Sequence, residues 1–78
     1  MPGLRFGKYR VFFVEHDLSE RPHIHVESGG NAAKDWLTPI ELFSNRRFPT
    51  HELTKIERVL NENYATVMEM WEREASKR

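Results

Sequence analysis

The fold is decided by residues 21–27, Arg21-Pro22-His23-Ile24-His25-Val26-Glu27, in which polar and apolar side chains alternate. Successive side chains of a β-strand point to opposite faces, so Ile24 and Val26 share one face. The two histidines share the other face with the glutamate. This stretch therefore predicts a strand with a covered apolar side and two imidazoles on its outward side.

The residues before this stretch predict a β-hairpin. Two alternating segments within residues 4–15 flank Gly7, and a glycine at the first position of a two-residue loop accepts the positive φ of a type II′ turn. In this register Arg5 lies opposite Arg10, and the apolar residues sort onto one face. The other face carries the two arginines and Phe12.

The residues after the stretch predict a second hairpin, because Gly29-Gly30 is a typical two-residue turn. This turn puts Lys34 and Trp36 opposite the two histidines. It also puts Asp35 on the inward face, where a carboxylate is costly to bury. We therefore expect Asp35 to lie at an edge or beside a bulge.

The second half of the chain predicts helices. Thr38 followed by Pro39 is typical of a helix start and indicates a short helix over about residues 39–45. Thr50 is the expected N-cap of a long helix over about residues 51–75. Apolar residues recur there at helical spacing: Leu53, Ile56, Leu60, Tyr64, Val67 and Trp71. The predicted class is α+β, an antiparallel meander of about four strands within residues 3–37, with the long helix packed across one face.

Composition limits the classes of protein that the chain can represent. Its 78 residues predict one domain, residues 1–78, and its formal net charge of zero disfavours a bulk polyelectrolyte binder. Because cysteine is absent, we expect a reducing compartment and a cytoplasmic protein. The sequence has no apolar run long enough to cross a membrane and no phosphate-binding loop, so we expect neither a membrane span nor a nucleotide cofactor.

The outward face is the predicted site, and its simplest use is binding. Phe12 and Trp36 are suited to stacking on bases, while Arg5 and Arg10 are suited to holding phosphates. The same apolar rings also suit a protein partner or a second copy of the chain. A solvated face with long cationic side chains is the plain alternative.

The two histidines allow two further interpretations. Imidazoles change charge near neutral pH, so His23 and His25 beside Lys34 fit a metal-independent ribonuclease, with one histidine as base and the other as acid. Alternate residues on a strand face also suit shared metal coordination, and His16 is the candidate third ligand of a Zn²⁺ site in a metal-binding regulator. Whether the chain is an enzyme stays open at this point.

Several segments together resemble a known bacterial family. They are the strand Arg21–Val26, the preceding residues 9–13, Ala33-Lys34 after the glycine turn, and the closing Met70-Trp71-Glu72. On these residues the chain resembles the domain-of-unknown-function family 4160. The resemblance implies a small stand-alone bacterial protein encoded beside another small domain, in an arrangement like a toxin–antitoxin pair. The resemblance supplies no established activity or site residue. From the outward histidine face and this gene arrangement we expect a binding or regulatory module with a protein partner.

Overall fold

The structure is a computed structural model and describes residues 3–13 and 21–76. Five antiparallel strands form one sheet in chain order and two helices follow. The elements are β1 (Gly3–Phe6), β2 (Tyr9–Phe12), β3 (His23–Ser28), β4 (Asn31–Leu37), β5 (Ile40–Arg46), α1 (Thr50–Glu62) and α2 (Tyr64–Ala75). The α+β class and the antiparallel meander are confirmed, with one strand more than predicted.

Both predicted hairpin registers are confirmed. Arg5 pairs with Arg10 across β1 and β2, and Gly7 has the positive φ, 60°, that the turn requires. In the second hairpin β3 and β4 pair as expected from the glycine turn. Gly29 and Gly30 have φ values of 55° and 85°, and two positive φ values in a row are typical of a type I′ turn.

One hydrophobic core lies between the sheet and the helices. Ile24 and Val26 are fully buried there, as the alternation predicts. Its buried apolar residues come from all parts of the described chain: Tyr9, Val11, Phe13, Ile24, Val26, Ala33, Leu37, Phe48, Ile56, Leu60, Val67, Met70 and Trp71. The opposite side of the sheet is called the outward face below.

The predicted short helix at residues 39–45 is wrong, because these residues form β5. Thr38 and Pro39, joined by a cis peptide bond, make a two-residue loop after which Ile40 pairs with Leu37. A seven-residue helix is marginal on its own, whereas pairing along β4 satisfies the backbone groups of the segment. The loop therefore reverses the chain where a helix start was expected.

The single long helix is also corrected, because α1 and α2 are separated at Asn63. The side-chain amide of Asn63 donates to the Val59 carbonyl at 2.8 Å, and its φ of −115° is not helical. Tyr64, expected in the apolar stripe, is exposed beyond this break. Thr50 is the first residue of α1, and Pro49 rather than Thr50 occupies the N-cap.

Asp35 lies on the inward face as the register predicts, and it is buried there. A bulge falls beside it between β4 and β5, where the register shifts at Lys34 and Asp35. Within the described residues, Asp35 Oδ1 has no hydrogen-bond partner. Burial, together with the charge of Glu57, raises the pKa of Asp35 from 3.8 to about 6.

Glu52 is a second buried carboxylate, and it has partners. The Tyr9 hydroxyl donates to Glu52 Oε1 at 3.0 Å, and Lys8 Nζ lies 2.7 Å from Oε2. The bond to Lys8 is the main reason that the pKa of Glu52 is lowered. These contacts join the first turn of α1 to the β1–β2 hairpin. Within the described residues, no helix is long and apolar enough to cross a membrane.

Candidate functional site

Two stacks of rings and cations stand side by side on the outward face. The first stack consists of Arg10, Phe12 and His25. The guanidinium carbon of Arg10 lies 4.5 Å from the centroid of the Phe12 ring. The Phe12 and His25 rings are stacked, with centroids 5.3 Å apart and an angle of 16° between their planes. This stack joins β2 to β3, because Phe12 and His25 are direct partners across the ladder.

The second stack consists of Arg21, Trp36 and Phe43. The guanidinium carbon of Arg21 lies 4.4 Å from the centroid of the Trp36 ring. Trp36 and Phe43 are stacked with centroids 4.5 Å apart and 23° between their planes. Lys34 Nζ lies 5.7 Å from the Phe43 centroid and adds a second cation at the far end.

His23 connects the two stacks. Its ring centroid lies 5.5 Å from that of His25 and 5.7 Å from that of Trp36. The Trp71 ring of α2 approaches it to 5.8 Å. The two imidazoles are therefore neighbours, as predicted. The expectation that His23 is exposed is wrong, since the surrounding rings leave it only 4% exposed.

Backbone contacts fix the segment that leads into β3. The Leu37 N–H donates to the Pro22 carbonyl at 3.1 Å, and the Arg21 guanidinium donates to the Thr38 carbonyl at 3.1 Å. His23 Nδ1 lies 2.9 Å from the Arg21 carbonyl. A carbonyl oxygen only accepts, so Nδ1 carries a proton in this contact. Arg21 is thus held over Trp36 by its backbone and by its side chain.

The predicted site residues all lie on the outward face where the structure describes them, but they do not form one cluster. Phe12, His23, His25 and Trp36 are in continuous ring contact, and Lys34 lies at the Phe43 end. Arg5 lies in the next row of the sheet, paired with Arg10, whose guanidinium reaches back over the Phe12 ring.

Three residues that complete this surface are not among the predicted site residues. The sequence pattern places Arg21 in a connection. Its spacing of two residues from His23, which His25 repeats, is the signal that it lies on the same face. The sequence pattern places Phe43 and Arg46 in a short helix and the break after it. What identifies β5 as a strand is its pairing with β4, and this pairing cannot be seen in the sequence pattern of residues 40–46 alone.

The metal hypothesis is not tested by the described residues. No group of three or more His, Cys, Asp or Glu side chains in residues 3–13 and 21–76 is placed to hold a metal ion. The predicted third ligand, His16, lies outside the described residues. His23 and His25 alone are fewer ligands than a zinc site requires.

Comparison with known proteins gives a family and no activity. Searches of curated proteins and of solved structures find no match. The family model described as Domain of unknown function (DUF4160) matches residues 9–72, which contain β2 to β5 and nearly all of both helices. Both stacks and the strand that carries the histidines fall inside the matched region. The chain therefore belongs to the family described as Domain of unknown function (DUF4160).

Proposed function

We propose that the chain is a binding module whose outward face holds single-stranded nucleic acid. The observation that carries the proposal is the pair of adjacent stacks, each with a guanidinium over an aromatic ring. Single-stranded nucleic acids are held by aromatic rings that stack on bases and by basic side chains that contact phosphates. An open sheet with rings from several strands supplies both kinds of contact on one surface.

The energies of the stacks favour exchange with a base. A cation over a ring at an exposed site contributes roughly 0.5–1 kcal/mol, whereas stacking of a base on an aromatic ring contributes about 1–3 kcal/mol. Arg10 and Arg21 are both exposed. A base that takes the place of either guanidinium on its ring therefore gains more than the cation–ring contact contributes, and a phosphate would have to replace the partner that Arg10 has in Glu27 or that Arg21 has in the Thr38 carbonyl. The displaced guanidinium then pairs with a phosphate, which adds a charge-assisted hydrogen bond.

The biological setting of this module is a further part of the proposal. The family resemblance implies a bacterial, toxin–antitoxin-like gene pair, in which the chain would act in the cytoplasm with a protein partner. The edge strand β5, with Leu42 and Phe43 exposed, is the region best suited to such a partner or to a second copy. Light scattering gives the molar mass of the chain alone, which tests for a second copy. The molar mass of the chain mixed with its gene neighbour's product tests for the protein partner.

Binding is tested by the fluorescence anisotropy of labelled oligo-dT and oligo-U titrated with protein. Trp36→Ala removes the centre of the second stack, and we expect about a tenfold or greater loss of affinity. The matched control is Tyr64→Ala, which removes an exposed aromatic ring from α2 rather than from the sheet. Phe12→Ala tests the first stack independently.

Equal affinities of Trp36→Ala, Phe12→Ala and wild type would contradict the proposal, provided that thermal melts show folded variants. Absence of any binding by wild type would also contradict it. Tight binding of a gene neighbour's product to the same face, abolished in Trp36→Ala, would replace the proposal with a protein-docking function.

A second candidate function is RNA cleavage, and the adjacency of His23 and His25 favours it. Their ring centroids are 5.5 Å apart, and Lys34 is the ladder partner of His25. In general acid–base catalysis one imidazole would accept a proton from the RNA and the other would donate a proton to the leaving oxygen, with Lys34 stabilising the negative charge that develops. The burial of His23 weighs against direct contact with a substrate. Cleavage that persists unchanged in His23→Ala or His25→Ala would exclude this function.

A metal-binding regulator is the third candidate, and it rests on the same two imidazoles. Zn²⁺ titration followed by the NMR signals of His16, His23 and His25 tests it. Saturable shifts of all three signals would establish the site, and shifts of none would remove it.

A further inference from the structure

A groove of about 380 Å³ runs over the outward face beside the Gly29-Gly30 turn. It lies apart from the ring stacks, except that Arg10 contributes to both. Three arginines line the groove, Arg5, Arg10 and Arg46. The acidic side chain among its described lining residues is Glu27. The groove is therefore strongly basic in a chain whose formal net charge is zero.

The ladder places these groups in one row across the sheet. Arg5 pairs with Arg10, Arg10 with Glu27, Glu27 with Ala32, and Ala32 with Arg46. Neighbouring strands lie about 4.8 Å apart, so the row from β1 to β5 is roughly 19 Å long. A single small anion cannot bridge that length, whereas a chain of phosphates can.

Much of the charge in this row is uncompensated. Arg10 lies 3.2 Å from Glu27. In the part of the chain that the structure describes, neither Arg5 nor Arg46 forms an ion pair. Arg5 and Arg10 also face each other directly, and like charges at opposed positions are destabilising. An anion in the groove would remove this repulsion. Lys8 reaches the groove too, but Glu52 holds its ammonium.

We propose that this row is a phosphate track for the nucleic acid of the proposed function, on which this inference rests. The adjacent row of the same face carries Phe12, His25 and Lys34, two residues further along each strand. Two residues along a strand are roughly 6.5–7 Å. A single strand lying across the sheet therefore sets its phosphates on the arginine row and turns its bases toward the ring stacks.

The test is the salt dependence of oligo-dT affinity. For single strands the slope of log K against log salt changes by about 0.7 for each phosphate that the protein no longer neutralises. We expect Arg5→Gln and Arg46→Gln each to reduce the slope by about that amount and to weaken binding at low salt. Arg73→Gln is the matched control on α2, where Arg73 pairs with Glu69, and it should leave the slope unchanged. Trp36→Ala should weaken binding with no change of slope.

The outcomes separate this inference from the function on which it rests. If wild type binds the oligonucleotide and neither Arg5→Gln nor Arg46→Gln changes the slope, the track is overturned and the binding function stands. If wild type binds no oligonucleotide, both are overturned. If inorganic phosphate displaces the oligonucleotide as well as oligo-dT of equal phosphate content does, a continuous track is also overturned, because separate anions then suffice.

Discussion

The two faces of the sheet are built from alternate residues of the same strands, yet they differ in what holds them. On the inward face Ile24 and Val26 are fully buried against the helices. On the outward face the rings of Phe12 and His25 stack on each other and remain partly exposed, whereas His23 beside them is buried. The inward packing is lost when the chain unfolds, whereas the outward interactions are the ones that the proposed ligand would replace.

From this difference we expect the inward face to carry the stability of the fold, and the outward face is the one on which we propose binding. Burial of a large apolar side chain contributes roughly 1.5–3 kcal/mol, which exceeds the energy of an exposed ring or ion pair. The inward face has two polar exceptions, Asp35 and the pair of Tyr9 with Glu52. Substitutions confined to one face at a time test this division, beginning with the largest expected change.

Ile24→Ala should cost about 2–5 kcal/mol of unfolding free energy, because it removes a fully buried side chain next to packed neighbours. His25→Ala, one position along the same strand, should cost clearly less, because the half-buried His25 ring gives up contacts with Phe12 and His23 and no fully buried side chain. Urea denaturation of the two variants measures both. Equal destabilisation would mean that the two faces contribute alike to the stability of the fold.

Asp35 should make the protein less stable as the pH rises. Its pKa is about 6 in the folded protein and 3.8 ordinarily, so the folded state holds the proton more tightly. The stabilisation from this proton is complete below pH 3.8 and is lost as the pH rises through about 6. The rise in the pKa of Asp35 from 3.8 to about 6 corresponds to a change of about 3 kcal/mol in the free energy of unfolding across this pH range.

The measurement is a comparison of wild type with Asp35→Asn by urea denaturation at several pH values. Subtraction removes the contributions of other groups, including Glu52, whose lowered pKa acts in the opposite direction. Wild type should lose stability relative to the variant between about pH 4 and pH 7. A difference that does not change with pH would show that Asp35 is solvated.

Tyr9→Phe should cost about 1 kcal/mol, typical of one hydrogen bond, because its hydroxyl donates to Glu52 at 3.0 Å. The variant should also raise the pKa of Glu52, since the bond from Tyr9 helps to keep that pKa low. Thermal melts at neutral and acidic pH measure both effects. The matched control, Tyr64→Phe, alters an exposed tyrosine and should be neutral.

Arg10→Gln should change the unfolding free energy by less than about 1 kcal/mol, because its pair with Glu27 is exposed. Salt should reduce even this difference. Chemical denaturation at low and high salt measures it. A large, salt-independent destabilisation would mean that the outward face is part of the folding core and would remove the separation between the faces.

The parts of the fold that can be predicted from the sequence are those specified locally. The β1–β2 and β3–β4 registers follow from alternation and from glycines that accept positive φ. The strand β5 is missed because Thr38-Pro39 also starts helices and because the adjacent Leu42 and Phe43 break the alternation. Their spacing fits a strand only with the bulge, which depends on pairing with β4.

The candidate site is predictable to the same extent. The alternation of side chains along β3 and β4 correctly predicts that His25, Lys34 and Trp36 lie on one face of the sheet. The burial of His23 cannot be predicted in this way, because Trp71 reaches it from the last helix of the chain. The second stack needs Phe43, and so it cannot be assembled without β5.

The bulge in β5 also bears on how the length of this chain can vary. The register pairs Leu42 with Asp35 and Ser44 with Lys34, and Phe43 is the extra residue between them. A chain shortened by Phe43 alone would keep both pairings and leave every other residue of β5 on its present side. The ring of Trp36 would then be uncovered on one side. Deletion at this single position can therefore shorten the aromatic surface without rebuilding the sheet.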